Sequence, residues 1–393
     1  MNPDPEDLMM NRTAIFPTGL TFDDVLLVPR RTAATSRSLI DLSSQLTPRI
    51  RLHVPIVSAN TPWCTEAAMA IAMARNGGIG FLHRMCPPEH QAEQLCRVKS
   101  APCDASEFPH ATKDKEGRLL VGAAIGVQGD YPARAELLVR EGVDILVIDI
   151  AHGHADYALQ TIELIKSRFP WLELVAGNIA TGEAARDLIS AGADVLKVGV
   201  GPGSVCTTRI VTGCGVPQLT AILDCVDVAR PHGIPVIADG GIRSSGDMTK
   251  ALAAGASTIM LGSLLAGTEE SAAAPTEVDG VKYKISTGFV TLGVKLTLKR
   301  LSNLEVTREE LKRYTPEGTE ATFRYTGTVA ETLTQYANGM RSGFSYCGSM
   351  STTELWERAA FMQVSPAAHA EGKPHALTAV RQVHPDYSNL LVD

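Results

Sequence analysis

The sequence predicts an α/β fold: a single (β/α)8 (TIM) barrel followed by a C-terminal flap and arm. Three observations carry that expectation. Short runs rich in Val and Ile alternate with helix-period stretches from residue 55 onward; there are eight such runs; and three are introduced by nearly the same phrase, "EGVDILVIDI", "AGADVLKVGV" and "AGASTIMLGS". Continuously apolar strands separated by helices imply a parallel sheet covered on its outer face, and eight such units favour closure over an open sheet.

In chain order the strands are expected at PIVSAN (55–60), GGIGFLH (77–83), VGAAIG (121–126), ILVIDI (145–150), LVAGNI (174–179), VLKVGV (195–200), PVIADG (235–240) and TIMLGS (258–263). Gly142, Gly192 and Gly255 in the repeated phrases stand where a helix ends, in a left-handed conformation that a side chain resists. The whole chain, 1–393, reads as one catalytic domain. Residues 1–50 precede the barrel and are expected to close its bottom or an interface, and 99–118 form a short polar connection between the second and third units. Residues 280–393 are too long for one loop and are expected to supply a flap, a small hairpin and an arm.

Hydrophobic residues at 45% and charged residues at 20% describe a well-cored protein rather than a disordered one. A net charge of -7 without a Lys/Arg stripe argues against nucleic acid as a partner. No apolar run approaches bilayer length, and the opening MNPDPEDLMMNRT is acidic and lacks the basic-then-apolar order of a signal peptide. The expectation is a cytoplasmic protein with no membrane association. Eight cysteines lack Cys-x-x-Cys spacing, which disfavours zinc and a disulfide framework; most should be small buried hydrophobes.

Cys206 is the exception. In this fold the chemistry sits at the C-terminal ends of the strands, where the βα loops converge. After the sixth strand comes GVGPGSVCTTR (199–209), in which Gly199, Gly201 and Gly203 let the backbone approach a ligand. Ser204 and the loop amides suit an anion, and Cys206 beside Thr207 and Thr208 suits a nucleophile. Two other readings stand beside this one. The loop could be a dinucleotide fingerprint, although Gly-x-Gly-x-Gly is the wrong spacing, or the cysteine could merely fill a tight turn. The seventh and eighth strands end in IADGGIR and MLGS, Gly-rich ends at the place where barrels commonly hold a phosphate. Gly241, Gly262 and Ser263 therefore join Ser204 as phosphate candidates. Asp239, one residue further in, suits ribose hydroxyls, its alternative being a helix N-cap or a turn.

The segments GLTFDDVLLVP, GVGPGSVCTTRIVTGCGVPQ, IADGGIRSSGD, KALAAGAS and LGSLLAGTEE, within residues 19–375, resemble the inosine-monophosphate dehydrogenase / guanosine-monophosphate reductase family. The form is one without the inserted regulatory (CBS) domain. The resemblance implies that Cys206 is a thiolate attacking C2 of a purine nucleoside monophosphate, with Thr208 and Glu317 (in RYTPEG) as a proton-relay dyad. It implies that Ser204, Asp239, Gly241, Gly262 and Ser263, with Phe289 and Val290, hold the substrate. Asp149 in VIDIAHGH, with Gly199 and Gly201, would meet the nicotinamide cofactor, NADPH or NAD. A monovalent cation, K+, would be held by Gly201, Gly203 and Cys206 with Glu371, Gly372 and Lys373 of the tail EGKPH. A homotetramer is implied as well.

The family runs in two directions. In one, hydride leaves for NAD and water hydrolyses the thioimidate; in the other, ammonia leaves and NADPH returns hydride. The stretch TLKRLSNLEVTREELK lacks an Arg-Tyr pair where the dehydrogenases activate water, Arg313-Tyr314 being a substitute candidate. Reductive deamination of a guanosine-monophosphate-like nucleotide with NADPH is therefore the expectation, the base including modified purines such as 7-deazaguanine. The alternative is NAD-dependent oxidation of inosine monophosphate to xanthosine monophosphate, toward which RSGFSYCGS and the tail lean. A third reading is an inactive nucleotide-binding paralogue, which would not need Cys206, Thr208 and Glu317 together. Thr61, Pro62, Trp63 and Cys64 replace the family's Met-Asp-Thr-Val, Arg84 a Lys, and Ser286 a Tyr, changes expected to reshape the base pocket.

Overall fold

The computed structural model describes residues 16–286, 307, 319 and 321–372. Phe289, Val290, Arg313, Tyr314, Glu317 and Lys373 lie outside the described residues. The eight expected strands form: β1 Ile56–Ser58, β2 Ile79–Leu82, β3 Gly122–Ile125, β4 Ile145–Asp149, β5 Glu173–Ile179, β6 Val195–Val198, β7 Val236–Asp239 and β8 Thr258–Leu261. They close into a parallel barrel in chain order, with β8 returning to β1 at Ile259 opposite Ile56. Seven helices alternate with them: α1 Ala67–Arg75, α2 Pro88–Lys99, α3 Tyr131–Arg140, α4 Asp156–Arg168, α5 Gly182–Ser190, α6 Gln218–Ala229 and α7 Ser245–Ala253.

Side chains alternate across each strand, which separates two cores. Val57, Ile79, Phe81, Ile145, Val147, Val175, Val195, Ile237 and Met260 fill the interior of the barrel. Leu146, Ile148, Leu174, Leu196, Val198 and Ala238 face the helices. One further step of the same period along β4, β6 and β7 puts Asp149, Lys197 and Asp239 on the inner face at the rim. At the opposite end the hairpin Ser44–Gln45/Arg51–Leu52 contributes Leu46 and Leu52 to the inner core. Its Thr47 hydroxyl and the Arg49 N–H (3.0 Å) both donate to Glu173, the first residue of β5.

The eighth helix arrives late. After β8 there is only a short turn, Ser263–Ala266, and then an antiparallel sheet of β9 Ala274–Val278, β10 Val281–Ser286 and β11 Ala321–Arg324. The ring is completed by α8 Val329–Tyr346, which packs against α7 and α1. The expectation of flap, hairpin and arm alone for 280–393 missed this helix, because the repeating strand-helix unit is interrupted by the small sheet. Its start is nevertheless legible: Thr328 and Glu331 form a capping box. The helix sits close to α7, where a Cβ on Gly339 or Gly343 would come within 2.3 Å of Ser245 and 2.6 Å of Thr249. Phe361–Gln363 then pairs antiparallel with Val25–Leu27, and the short helix Pro366–Glu371 packs on Phe22–Asp24. No helix among the described residues is long and apolar enough to cross a membrane.

Candidate active site

The loops after β1, β4, β6, β7 and β8 surround one cavity at the C-terminal mouth. Asp149, Gly199, Gly201, Gly203, Ser204, Cys206, Thr208, Asp239, Gly241, Gly262 and Ser263 all line it. Residues scattered over more than a hundred positions thus meet because each follows a strand of the same parallel barrel.

The Cys206 loop is set by its glycines. Gly199 has φ 151°, and a Cβ there would lie 1.9 Å from the Asp239 carbonyl oxygen, so only glycine brings the start of the loop against the end of β7. Gly201 (φ 84°) and Gly215 (φ 155°) leave a channel for the Arg209 side chain, whose Nη2 donates to the Val216 carbonyl at 2.5 Å. Arg209 fastens both ends of the loop, a role that sequence reading did not single out. The Cys206 N–H donates to the Gly203 carbonyl at 3.1 Å, and the Thr319 N–H to Val205 at 2.9 Å. The Cys206 Sγ lies 3.2 Å from the Thr208 Oγ1, donating to it as a thiol. Cys206 is half-buried and lines the cavity. In Cys64 and Cys225 burial pushes the thiol up to about 12, which keeps both protonated and inert. Cys86 and Cys347 are buried as expected, whereas Cys96 and Cys214 are exposed.

At the ends of β7 and β8 the phosphate candidates converge. Gly240 (φ 92°) and Gly241 (φ 76°) turn the chain beneath Pro202, and Ser263 opens the helical turn after Gly262. Ser204 is exposed on the facing loop. Asp239 is not a helix N-cap: Ser244 caps α7, while the Asp239 Oδ2 accepts from the Asn178 Nδ2 at 2.8 Å and the Lys197 Nζ at 3.2 Å. The dinucleotide-fingerprint reading also falls, since the glycine loop belongs to a closed barrel.

Lys197 and Asn178 were missed by sequence reading. Lys197 is 2% exposed, and its Nζ donates to the Asp149 Oδ1 at 3.0 Å, to the Asn178 Oδ1 and to Asp239. Burial opposes its charge, but Asp149 and Asp239 outweigh that and hold it above the ordinary lysine value. The signal was available: Lys197 follows Val195 at the period-two spacing of an inward position. Among the described residues the buried Asp149 Oδ2 has no hydrogen-bond partner, an acceptor that fits the diol of a nicotinamide ribose.

Of the departures from the family pattern, Thr61 and Trp63 line the same cavity. Trp63 stacks on Phe323 at 5.8 Å between ring centroids, and a Cβ on Gly262 would come within 3.0 Å of the indole. The Trp63 Nε1 and the Thr61 Oγ1 find no hydrogen-bond partner among the described residues. The Arg84 Nη2 donates to the Asp149 main-chain carbonyl at 3.2 Å, and Ser286 is buried at the end of β10. Glu371 and Gly372 end the helix on Phe22–Asp24, and among the described residues no hydrogen bond or ion pair joins them to Gly201, Gly203 or Cys206. The described residues hold no group of three or more His, Cys, Asp or Glu suited to a metal ion.

Comparison with known proteins agrees with this geometry. The IMP dehydrogenase / GMP reductase domain matches residues 19–375. The inosine-5'-monophosphate dehydrogenase of Nitrosopumilus maritimus is 39% identical, over 92% of this chain and 98% of the relative. That of Bacillus subtilis is 38% identical, over 94% and 98%. Both alignments run over more positions than this chain has residues, so the relatives carry segments that it lacks. A crystal structure of a Trypanosoma brucei GMP reductase variant in complex with guanosine 5'-monophosphate superposes with a TM-score of 0.88 at 34% identity, covering 93% of this chain and 100% of that one. A closed eight-stranded barrel with the cysteine loop at its mouth, matched along most of its length, makes this chain a member of the IMP dehydrogenase / GMP reductase family of NAD(P)-dependent oxidoreductases.

Proposed function

We propose that the protein reduces C2 of a guanosine-monophosphate-like purine nucleotide with NADPH, through a covalent bond to Cys206. The observation that carries the covalent chemistry is the Cys206–Thr208 contact of 3.2 Å at the rim of a cavity that also holds the Asp239 carboxylate. Asp239 orients the nucleotide through its ribose, Ser204, Gly241, Gly262 and Ser263 take the phosphate, and Phe289 and Val290 complete the substrate site. The Cys206 thiolate adds to C2, the 2-amino group leaves as ammonia after protonation, and Thr208 with Glu317 moves the proton. A bound nicotinamide would be the source of the hydride that C2 needs, and Cys206 would serve as the leaving group from C2, its thiolate restored. Asp149, with its unpartnered Oδ2, and Gly199 and Gly201 form the cofactor side.

The reductive direction is supported by the lack of an Arg-Tyr pair within TLKRLSNLEVTREELK, Arg313-Tyr314 coming only after it, and by the likeness to the trypanosomal GMP reductase. Oxidation of inosine monophosphate with NAD is the second reading, favoured by the 39% identity to a dehydrogenase. A modified purine, such as 7-deazaguanine, belongs to the proposal because Thr61 and Trp63 line the cavity in place of the family residues. The proposal also includes a homotetramer in the cytoplasm and a K+ ion held by the carbonyls of Gly201, Gly203 and Cys206 with the segment at Glu371, Gly372 and Lys373.

The test follows reduced-cofactor absorbance with guanosine monophosphate or its 7-deaza analogue plus NADPH, and with inosine monophosphate plus NAD. Cys206-dependent NADPH oxidation is expected. NAD reduction alone would replace the proposal with the dehydrogenase, and silence in every assay would leave a binding protein.

A further inference from the structure

Three inward positions on three strands meet under the mouth of the barrel. Asp149 ends β4, Lys197 lies on β6 and Asp239 ends β7, and the single Lys197 ammonium spans both carboxylates, at 3.0 Å and 3.2 Å. Asn178 from β5 ties the cluster together by accepting from Lys197 and donating to Asp239 at 2.8 Å. Space for the lysine is reserved: on the neighbouring strand a Cβ at Gly177 would lie 2.7 Å from the Lys197 Cβ. The nearby cation Arg84 reaches only the main-chain carbonyl of Asp149, at 3.2 Å. Two carboxylates against one ammonium leave an excess negative charge, and among the described residues the Asp149 Oδ2 carries no partner.

We propose that Lys197 is a positioning residue shared by the two ligand sites, fixing Asp149 and Asp239 at once so that each presents an ionised oxygen to a different ligand. The inference rests on the reading above, in which Asp239 meets the nucleotide ribose and Asp149 the ribose beside the nicotinamide. A ribose hydroxyl donates well to a carboxylate and poorly to a protonated acid, so both sites need the charge that Lys197 compensates. Because the four side chains stand on strands rather than loops, the lysine also fixes the distance between the two acceptors. The Lys197 ammonium is buried and donates to Asp149, Asn178 and Asp239, so Lys197 acts through the carboxylates and not on the reacting atoms.

The experiment measures dissociation constants for guanosine monophosphate and for NADPH separately, on the full chain, across about pH 5 to 8. The variants are Asp149→Asn, Asp239→Asn, Lys197→Met and Lys197→Arg. Asp149→Asn should weaken NADPH alone and Asp239→Asn the nucleotide alone. Lys197→Met should weaken both by about tenfold or more. That loss should be greatest at low pH, where the uncompensated carboxylates take up protons, and should shrink as pH rises. Lys197→Arg, which keeps the charge, should abolish that added pH dependence. If Lys197→Met does not fold, Lys197→Gln gives the same readouts. A lysine variant that weakens one ligand or neither, or both equally at every pH, overturns the inference and leaves Lys197 a structural tie. If instead the two aspartate variants bind both ligands normally, it is the ribose assignment that fails.

Discussion

Gly199 lies directly against Asp239: a Cβ on the glycine would sit 1.9 Å from the aspartate carbonyl oxygen, at a φ of 151°. This contact joins the start of the Cys206 loop to the end of β7, the strand that bears the proposed ribose acceptor. Gly199→Ala should therefore cost about 2–4 kcal/mol by overpacking and backbone strain, and should lower activity further than stability accounts for. Denaturant melts beside turnover check this; a variant as stable and active as wild type would contradict the geometry.

Cys206→Ala should reduce turnover by at least about a thousandfold while nucleotide affinity changes only a few-fold, because in the proposed mechanism the thiol forms the covalent bond but does not hold the phosphate or ribose. Calorimetric titration alongside the absorbance assay separates the two. Loss of affinity in proportion to activity would instead make Cys206 a packing residue of its loop.

Arg209 should behave as a loop fastener. Arg209→Ala removes its bond to the Val216 carbonyl and empties the channel between Gly201 and Gly215. Turnover should fall by about tenfold or more as the Cys206–Thr208 geometry loosens, with a smaller effect on melting temperature. A change in stability with unaltered turnover would count against this role.

The acid limb of stability should depend on Asp23. Hydrogen bonds from Arg243, at 2.6 Å and 2.8 Å, hold its carboxyl below the usual value of 3.8. A depressed folded-state pKa contributes stability that is present above the unfolded pKa and lost as pH falls through the folded one. The melting-temperature difference between wild type and Asp23→Asn should therefore be steady near neutrality and shrink below pH 3.8. A difference that grows on acidification would reverse the assigned sign.

Replacing K+ with a bulky organic cation should slow turnover if Gly201, Gly203 and Cys206 turn carbonyls to a cation, and re-addition of K+ should restore it. Removing residues from Lys373 onward should weaken the K+ response. Full activity without any alkali cation would remove the cation from the proposal.

The order and closure of the strands were legible in the sequence. A buried parallel strand must be continuously apolar, and the helix-ending Gly142, Gly192 and Gly255 punctuate the repeat; all three have positive φ. That Cys206, Asp149 and Asp239 would line one cavity was legible as well, because in this architecture the strand ends and the loops after them converge at the mouth. Other features needed the tertiary structure. The helix Val329–Tyr346 is separated from its strand by the small sheet, so only packing against α7 and α1 shows that it completes the ring. Arg209 reads as an ordinary surface cation until the two glycines it threads are seen on either side. Lys197 reads as a polar interruption of an apolar strand, and only closure of the barrel brings Asp149 and Asp239 to its ammonium from strands 48 and 42 residues away in sequence. Local pattern is set by backbone geometry and burial within a few residues. A charge cluster is set by which strands become neighbours across the barrel, and that is decided by the fold as a whole.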